Sequence, residues 1–171
     1  MHDDVTLRPL EKKDLKFIRR LRNENRQFFL DSGYISTQSH KQWYEKYLKK
    51  TDDRMFILEK NATPIGCGAI YRIDQRKQKA EVGRFIIDKP ERKKSYGNIL
   101  IQKIEEIAFN KLGLQQVYLE VLENNKQALD LYNKAGYQKE EVMVRQKYRI
   151  VRMAKKSKKK LILSGNDPLS E

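Results

Sequence analysis

Residues 80–122, AEVGRFIIDKPERKKSYGNILIQKIEEIAFNKLGLQQVYLEVL, alternate between strand-like and helical patterning. AEVGRFII and QQVYLEVL are rich in β-branched and aromatic residues and read as strands. Between them, NILIQKIEEIAFNKLG carries Leu100, Ile104, Ile107 and Ala108 on one helical face and reaches Gly113 near its end. A helix that crosses from one strand to the next implies that the two strands run parallel in one sheet. The loop that opens this helix, DKPERKKSYGN, is basic.

Working outward, VTLRPL reads as a strand and EKKDLKFIRRLRNENRQFF as a helix with Leu15, Phe17, Ile18 and Leu21 on its apolar stripe. After a break at Asp31 to Gly33, Ser36 is placed to cap a second helix in which Trp43, Tyr44, Tyr47 and Leu48 share a face. MFILEK and PIGCGAIYRI form a hairpin across Asn61 to Thr63. Downstream, NNKQALDLYNKAGY is a short helix stopped by Gly136, whose type suits a left-handed C-terminal position. The tail allows two arrangements: VMVRQKYRIVRM as one strand paired with KKLIL, or a tighter hairpin of two strands before Met153. The expectation is one domain over residues 1–163 and a frayed tail over 164–171.

Composition narrows the class. With 39% hydrophobic and 35% charged residues arranged in periodic blocks, the chain of 171 residues is globular. No apolar run approaches the ~20 residues that span a bilayer, and the N-terminus lacks a signal pattern, so the cytoplasm is the expected location. Cys67 is the lone cysteine, which excludes a disulfide framework and a multi-cysteine metal site; its apolar setting predicts a buried thiol. His40 has no partner for a metal and is expected to face solvent. The net charge of +14 predicts attraction to phosphates or acidic partners without choosing among them.

The basic loop is the most informative of the charge clusters. Amides at a helix start point outward and the helix dipole favours an anion there. Arg92, Lys93 and Lys94 add cationic donors, and Gly97 permits close backbone approach. The loop is neither a P-loop nor a dinucleotide fingerprint, since the glycines that each requires are missing.

Residues Arg92-Lys93-Lys94-Ser95-Tyr96-Gly97 resemble the pyrophosphate loop of the GNAT superfamily of N-acetyltransferases, Q/R-x-x-G-x-G/A, with Ser95 in place of the first glycine. About thirty residues on, LEVLENNKQALDLYNKAGY is similar to the second cofactor motif of that family through Asn125, Tyr132, Gly136 and Tyr137. The resemblance runs from about Val5 to Met153. It implies an α/β (α+β) fold: a mixed sheet of six or seven strands with about four helices, splayed between the fourth and fifth strands, with acetyl-CoA in the gap. It further implies that the backbone of Phe85, Ile86 and Ile87 bonds the pantetheine and polarises the thioester, that the 92–97 loop with Asn98 holds the pyrophosphate, and that Asn125 and Tyr132 also meet the cofactor.

Acetyl transfer needs a neutral amine, and a lysine-type amine with pKa near 10.4 is almost wholly protonated at neutral pH. Glu120 is the first candidate for the base by its family spacing to Tyr132, and Glu81 the second; each has the plain alternative of an ion-paired glutamate. Tyr132 is the candidate acid for the departing thiolate, with core packing as its alternative. No metal is expected.

For the acceptor, RNENRQFF and ISTQSHKQWYEKYL resemble the first helices of enzymes that acetylate amino-sugar nucleotides and of ribosomal-protein acetyltransferases. The former would use Arg22 and Arg26 for phosphates and Trp43 and Tyr44 for ring stacking. The latter, or another protein acceptor, would be met on the ribosome or a similar anionic surface through the basic stretch Arg145 to Lys160. Amino-sugar acetylation is the first expectation, protein N-terminal acetylation the second, and an idle coenzyme A-binding module the third; the chain is expected to be a monomer or homodimer.

Overall fold

A computed structural model describes residues 4–158. Seven strands, β1 (Val5–Pro9), β2 (Asp53–Lys60), β3 (Thr63–Asp74), β4 (Lys79–Ile87), β5 (Gln116–Leu122), β6 (Gln138–Arg145) and β7 (Tyr148–Lys156), form one sheet in the order β1-β2-β3-β4-β5-β7-β6. Among the described residues only β4 and β5 pair in parallel. The helices are α1 (Leu15–Glu24), α2 (Thr37–Tyr47), α3 (Tyr96–Glu106) and α4 (Lys126–Lys134), so the α/β fold and the strand count agree with the sequence reading.

Both faces of the central sheet are covered, which is why MFIL and IGCGAI are unbroken apolar runs rather than alternating ones. Phe56, Leu58, Ile70 and Val82 pack with Leu100, Ile101 and Ile104 of α3 on one face. Met55, Ile57, Cys67, Ala69 and Ile86 pack with Ile18 and Leu21 of α1 on the other. The side-chain period of two assigns neighbouring residues of one strand to different cores.

Several local signals act as read. Ser36 accepts a hydrogen bond from Ser39 N at 3.1 Å and starts α2. Gly136 adopts φ of 92° after α4, and Asn61 and Ala62 turn the β2–β3 hairpin with φ of 48° and 61°. The tail takes the tighter hairpin, turning at Gln146 with φ of 56°, although its second strand continues to Lys156. KKLIL and the 164–171 tail lie outside the described residues.

Other expectations are corrected. The first helix ends at Glu24 instead of running to Phe29, because Asn25 folds its side-chain amide back onto Leu21 O at 2.7 Å and leaves helical geometry. Leu48, expected on the aromatic face, is exposed at the end of α2. His40 is buried and stacked on Trp43 at 5.2 Å; burial pushes its pKa down, so the ring is neutral. Asn98 is not the first helical residue, since α3 already begins at Tyr96.

The feature that shapes the site is a bulge in β4. Ala69 pairs with Gly83 and Cys67 with Ile86, so Arg84 and Phe85 together oppose Gly68. Arg84 sits at φ of 54°, a conformation that costs a non-glycine residue on the order of 1 kcal/mol. Its guanidinium is held there by Asp53, whose oxygens accept at 2.7 and 3.0 Å, and it lies 4.2 Å from the Tyr71 ring centre. Close packing of β3 on the end of β4 also requires Gly66, where a Cβ would stand 2.7 Å from Ile86 O. Gly66→Ala is therefore expected to lower stability by about 1–3 kcal/mol, roughly 2–10 °C in Tm, in a circular-dichroism melt; an unchanged Tm would refute the contact.

Candidate active site

Strands β4 and β5 share three rungs, Lys79 with Gln116, Ala80 with Val117 and Glu81 with Tyr118, and then diverge. The gap separates Val82–Ile87 from Leu119–Leu122 and joins two cavities. One, of about 530 Å³, runs from the start of α3 to α4. The other, of about 720 Å³, lies between the gap, α2 and the turn after α1. Tyr71, Arg84, Ile86 and Glu120 line both.

At the outer end of the first cavity, the start of α3 has no side-chain cap, which leaves its first amides for a ligand. Ser95 has φ of 65°, the left-handed conformation that explains a glycine at this place in the family pattern. Arg92 is committed elsewhere: Nε donates to Ile87 O at 3.0 Å and Nη2 to Asn25 Oδ1 at 2.8 Å, latching β4 to the end of α1. Lys94 binds Glu91 at 3.2 Å and does not line the cavity. Lys93 makes no ion pair among the described residues. A free cation beside uncapped amides fits a pyrophosphate, and every residue named for the cofactor except Lys94 lines this cavity.

Deeper in, the edge of β4 that faces β5 has no strand partner beyond Glu81, so backbone groups around Phe85 to Ile87 remain for a pantetheine chain. Asn125 caps α4 through Oδ1, which accepts from Ala128 N at 3.2 Å, and its side-chain NH2 stays available. Tyr132 lies 6.1 Å from Phe85 and 6.0 Å from Tyr137, ring centre to ring centre. Burial pushes its phenol up, so it stays protonated.

Both candidate glutamates are partnered; Glu81 is buried, and Glu120 is half-buried with its side chain largely covered. Glu120 pairs across the sheet with Arg152, whose Nη2 donates to Oε1 at 2.6 Å, while Arg145 donates to Oε2 and Oε1 at 2.6 and 2.9 Å. Burial would raise its pKa, but these arginine hydrogen bonds outweigh burial and hold the carboxyl below its usual range. Glu81 accepts from Tyr71 OH at 2.8 Å and from Arg72. Glu81 lines the second cavity and Glu120 both.

In the second cavity, Arg22 and Trp43 form part of the wall. Trp43 stacks between His40 and Tyr47, each at 5.2 Å, so it is packed into a ladder as well as exposed to the cavity. The other two acceptor candidates are not brought there: Arg26 is exposed on a 3₁₀ turn, and Tyr44 packs 6.0 Å from Tyr47, lining neither cavity. Sequence reasoning missed Tyr71, Arg72, Arg84 and Arg145. Arg72 and Arg84 sit at φ of 50° and 54°, and such bulges change side-chain parity without a sequence mark. Cys67 also borders this cavity; its thiol is buried, donates to Arg84 O at 3.6 Å, and is pushed up to about 12 by burial.

The basic stretch from Arg145 onward is less free than its charge suggested. Arg145 and Arg152 pair with Glu120, Arg149 with Glu123 and Lys155 with Glu105. Pairing of β7 with β5 sets Arg152 opposite Glu120 and Arg149 beside Glu123 just past the end of β5, while Lys155 reaches Glu105 on α3. Lys159 and Lys160 lie outside the described residues.

Residues 17–137 match the acetyltransferase (GNAT) family. The chain belongs to that family. Membership carries the reaction class, N-acetyl transfer, with acetyl-CoA as donor. This GNAT chain is 30% identical to the spermidine N(1)-acetyltransferase of Vibrio cholerae over 82% of each sequence. It superposes on a crystal structure of spermidine N-acetyltransferase from Vibrio cholerae in complex with CoA and spermine with a TM-score of 0.82, at 28% identity over 89% of this chain and 95% of that one. A dodecameric structure of the Vibrio cholerae enzyme aligns with a TM-score of 0.78, at 27% identity over 89% and 93%. These relatives are polyamine enzymes by name, not the ribosomal-protein or amino-sugar-nucleotide enzymes that the first helices suggested.

A depressed carboxyl pKa stabilises the fold above the unfolded value of about 4.3 and loses that contribution as pH falls through the lower folded value. Glu120→Gln should therefore be less stable than the parent at pH 7, with the gap narrowing as pH falls below 4.3. Urea titrations at several pH values test this; a gap independent of pH would contradict the ion-pair account.

Proposed function

We propose that this chain acetylates a primary amine of a small molecule at the mouth of the β4–β5 gap, with polyamines as the acceptor class that its relatives bring forward. The observation that carries the reading is the wall the two cavities share: a donor channel and an acceptor chamber meet at Tyr71, Arg84, Ile86 and Glu120, with Glu81 on the chamber side.

Lys93 and the first amides of α3 hold the pyrophosphate, with the Ser95-Tyr96-Gly97-Asn98 backbone shaping the turn. The Phe85 to Ile87 backbone binds the pantetheine arm, and Asn125 adds its side-chain amide. Acetyl-CoA, when bound, supplies a thioester carbonyl for attack and a thiolate to depart. Amides of β4 directed at that carbonyl would stabilise the charge that develops on its oxygen. Glu120, kept ionised by its arginines, attracts the incoming ammonium and receives its proton through water; Glu81 is the alternative. Tyr132 holds its proton at Oη and donates a hydrogen bond to the departing sulfur, a role that suits a phenol held protonated by burial.

A polyamine acceptor is supported by the likeness to the Vibrio cholerae enzyme. A second reading, an amine that also bears an anion, is favoured by the arginines of the chamber and is developed below. Assembly beyond the monomer or homodimer is drawn from the dodecameric relative and can be read by sedimentation.

Thiol release from acetyl-CoA with a panel of primary amines tests the reading; release that no amine accelerates would sink it. Tyr132→Phe should lower kcat by roughly 10²-fold or more with coenzyme A affinity nearly unchanged. Unchanged kcat in single-turnover acetylation would remove the tyrosine from the chemistry. Lys93→Ala should raise the KM for acetyl-CoA with little change in kcat or Tm, whereas Arg92→Ala should lower Tm as well, because its guanidinium ties α1 to β4.

A further inference from the structure

Four guanidiniums line the acceptor chamber, those of Arg22, Arg72, Arg84 and Arg145. Three have carboxylate partners: Arg72 has Glu81, Arg84 has Asp53 and Arg145 has Glu120. Arg22 has none within 4.0 Å among the described residues. Its Nη2 donates to the backbone oxygen of Asp31 at 2.9 Å, its guanidinium lies 3.4 Å from the Phe29 ring centre, and its Nη1 is buried without any acceptor.

A guanidinium with a buried, unfilled donor is incomplete, because desolvation costs it free energy that no protein group returns. Burial, and then the nearby Arg84 charge, push its pKa down to about 10, so the group is still a cation at neutral pH. The planar fork is matched by a carboxylate or a phosphate, either of which can take two of its donors. Glu81 and Glu120 are hydrogen-bonded to arginines whose charges offset theirs, so the chamber attracts a polycation less than its count of acids suggests. Asp31 alone among its acids has no ion pair among the described residues.

We infer that the acceptor chamber contains an anion-binding position centred on Arg22, so that the preferred acceptor is a primary amine that also carries a carboxylate or phosphate. This rests on the acetyl-transfer reading and takes the second of its two acceptor classes in place of the polyamines. The anion seats on Arg22 as the guanidinium turns to bring the covered Nη1 into the chamber, and the amine at the other end of the molecule is thereby held toward the β4–β5 gap. A purely structural Arg22, stacked on Phe29 and tying down the Asp31 turn, is the competing account, and it predicts no dependence on acceptor charge.

The test uses the full chain, acetyl-CoA and four primary amines differing mainly in their far end: 5-aminovalerate, 3-aminopropyl phosphate, n-pentylamine and spermidine. Measurements are made in buffer free of phosphate and sulfate. At least one anionic amine should exceed both pentylamine and spermidine in kcat/KM by roughly 10- to 100-fold, the range expected for charge-assisted hydrogen bonds. Arg22→Gln should collapse that preference, chiefly through KM, and Arg22→Lys should restore part of it. Spermidine or pentylamine matching the anionic amines, or a preference unchanged by Arg22→Gln, would overturn the inference while leaving acetyl transfer intact.

Calorimetric titration of both anionic amines into the coenzyme A-saturated protein separates the two levels. Binding that Arg22→Gln abolishes, in a variant that still binds coenzyme A, supports the anion position even where no amine is acetylated; that result would overturn the transfer reading alone. No binding of either anionic amine to the parent protein would overturn the anion position. The relative strength of the two amines identifies which anion the site takes.

Discussion

Strands β4 and β5 are joined by three rungs and no more, and the site is built on where that pairing stops. Parallel neighbours in the middle of a sheet ordinarily continue their ladder, since unpaired backbone groups in a protein interior are costly. Here the strands part, and the parting is stabilised from outside the pair. The bulge at Arg84 redirects β4, Asp53 and Tyr71 hold the bulge, and the antiparallel ladder from β5 to β7 keeps β5 straight along its whole length. What would be a defect in a packed sheet becomes a slot that a polar chain can enter as a substitute strand.

The division of labour between the two faces follows from the same geometry. On one face α3 and α4 seal the donor channel with a continuous apolar core, and their N-termini supply amides and a capping asparagine at its rim. On the other, α1 and α2 cover the sheet through a smaller core and leave a chamber floored by β3 and β4. The donor side is made of backbone and helix ends, whose chemistry is generic. The side proposed for the acceptor is lined by charged side chains, Arg22, Arg72, Arg84, Arg145, Glu81 and Glu120 among them, and on that reading selectivity resides there.

This split explains how far the sequence could be read. The donor side is local: the loop at residues 92–97, the start of α3, Asn125 and Tyr132 lie within stretches whose patterning is short-range, and all of them but Lys94 line one cavity. Arg92 and Lys94 have partners that the sequence did not show: neutral oxygens of Asn25 and Ile87 hold the Arg92 guanidinium, and Glu91 pairs with Lys94. The acceptor side depends on contacts across long separations, such as Asp53 with Arg84 and Glu120 with Arg145, and on residues at positive φ that reverse strand parity. The same holds for the basic C-terminal hairpin, whose arginines are answered by acids that only sheet pairing brings opposite. His40 looked exposed because a helical position does not reveal that a tryptophan one turn away will stack on it.

Cys67 borders the chamber proposed for the acceptor amine, and a thiolate there would compete with that amine for a thioester. Burial against β4 keeps its proton in place, at about 12, and engages the sulfur with Arg84 O. The bulge that opens the slot thus also occupies the one thiol able to divert the acetyl group. The chain is spared a thioester exchange with itself that would leave its own wall acylated.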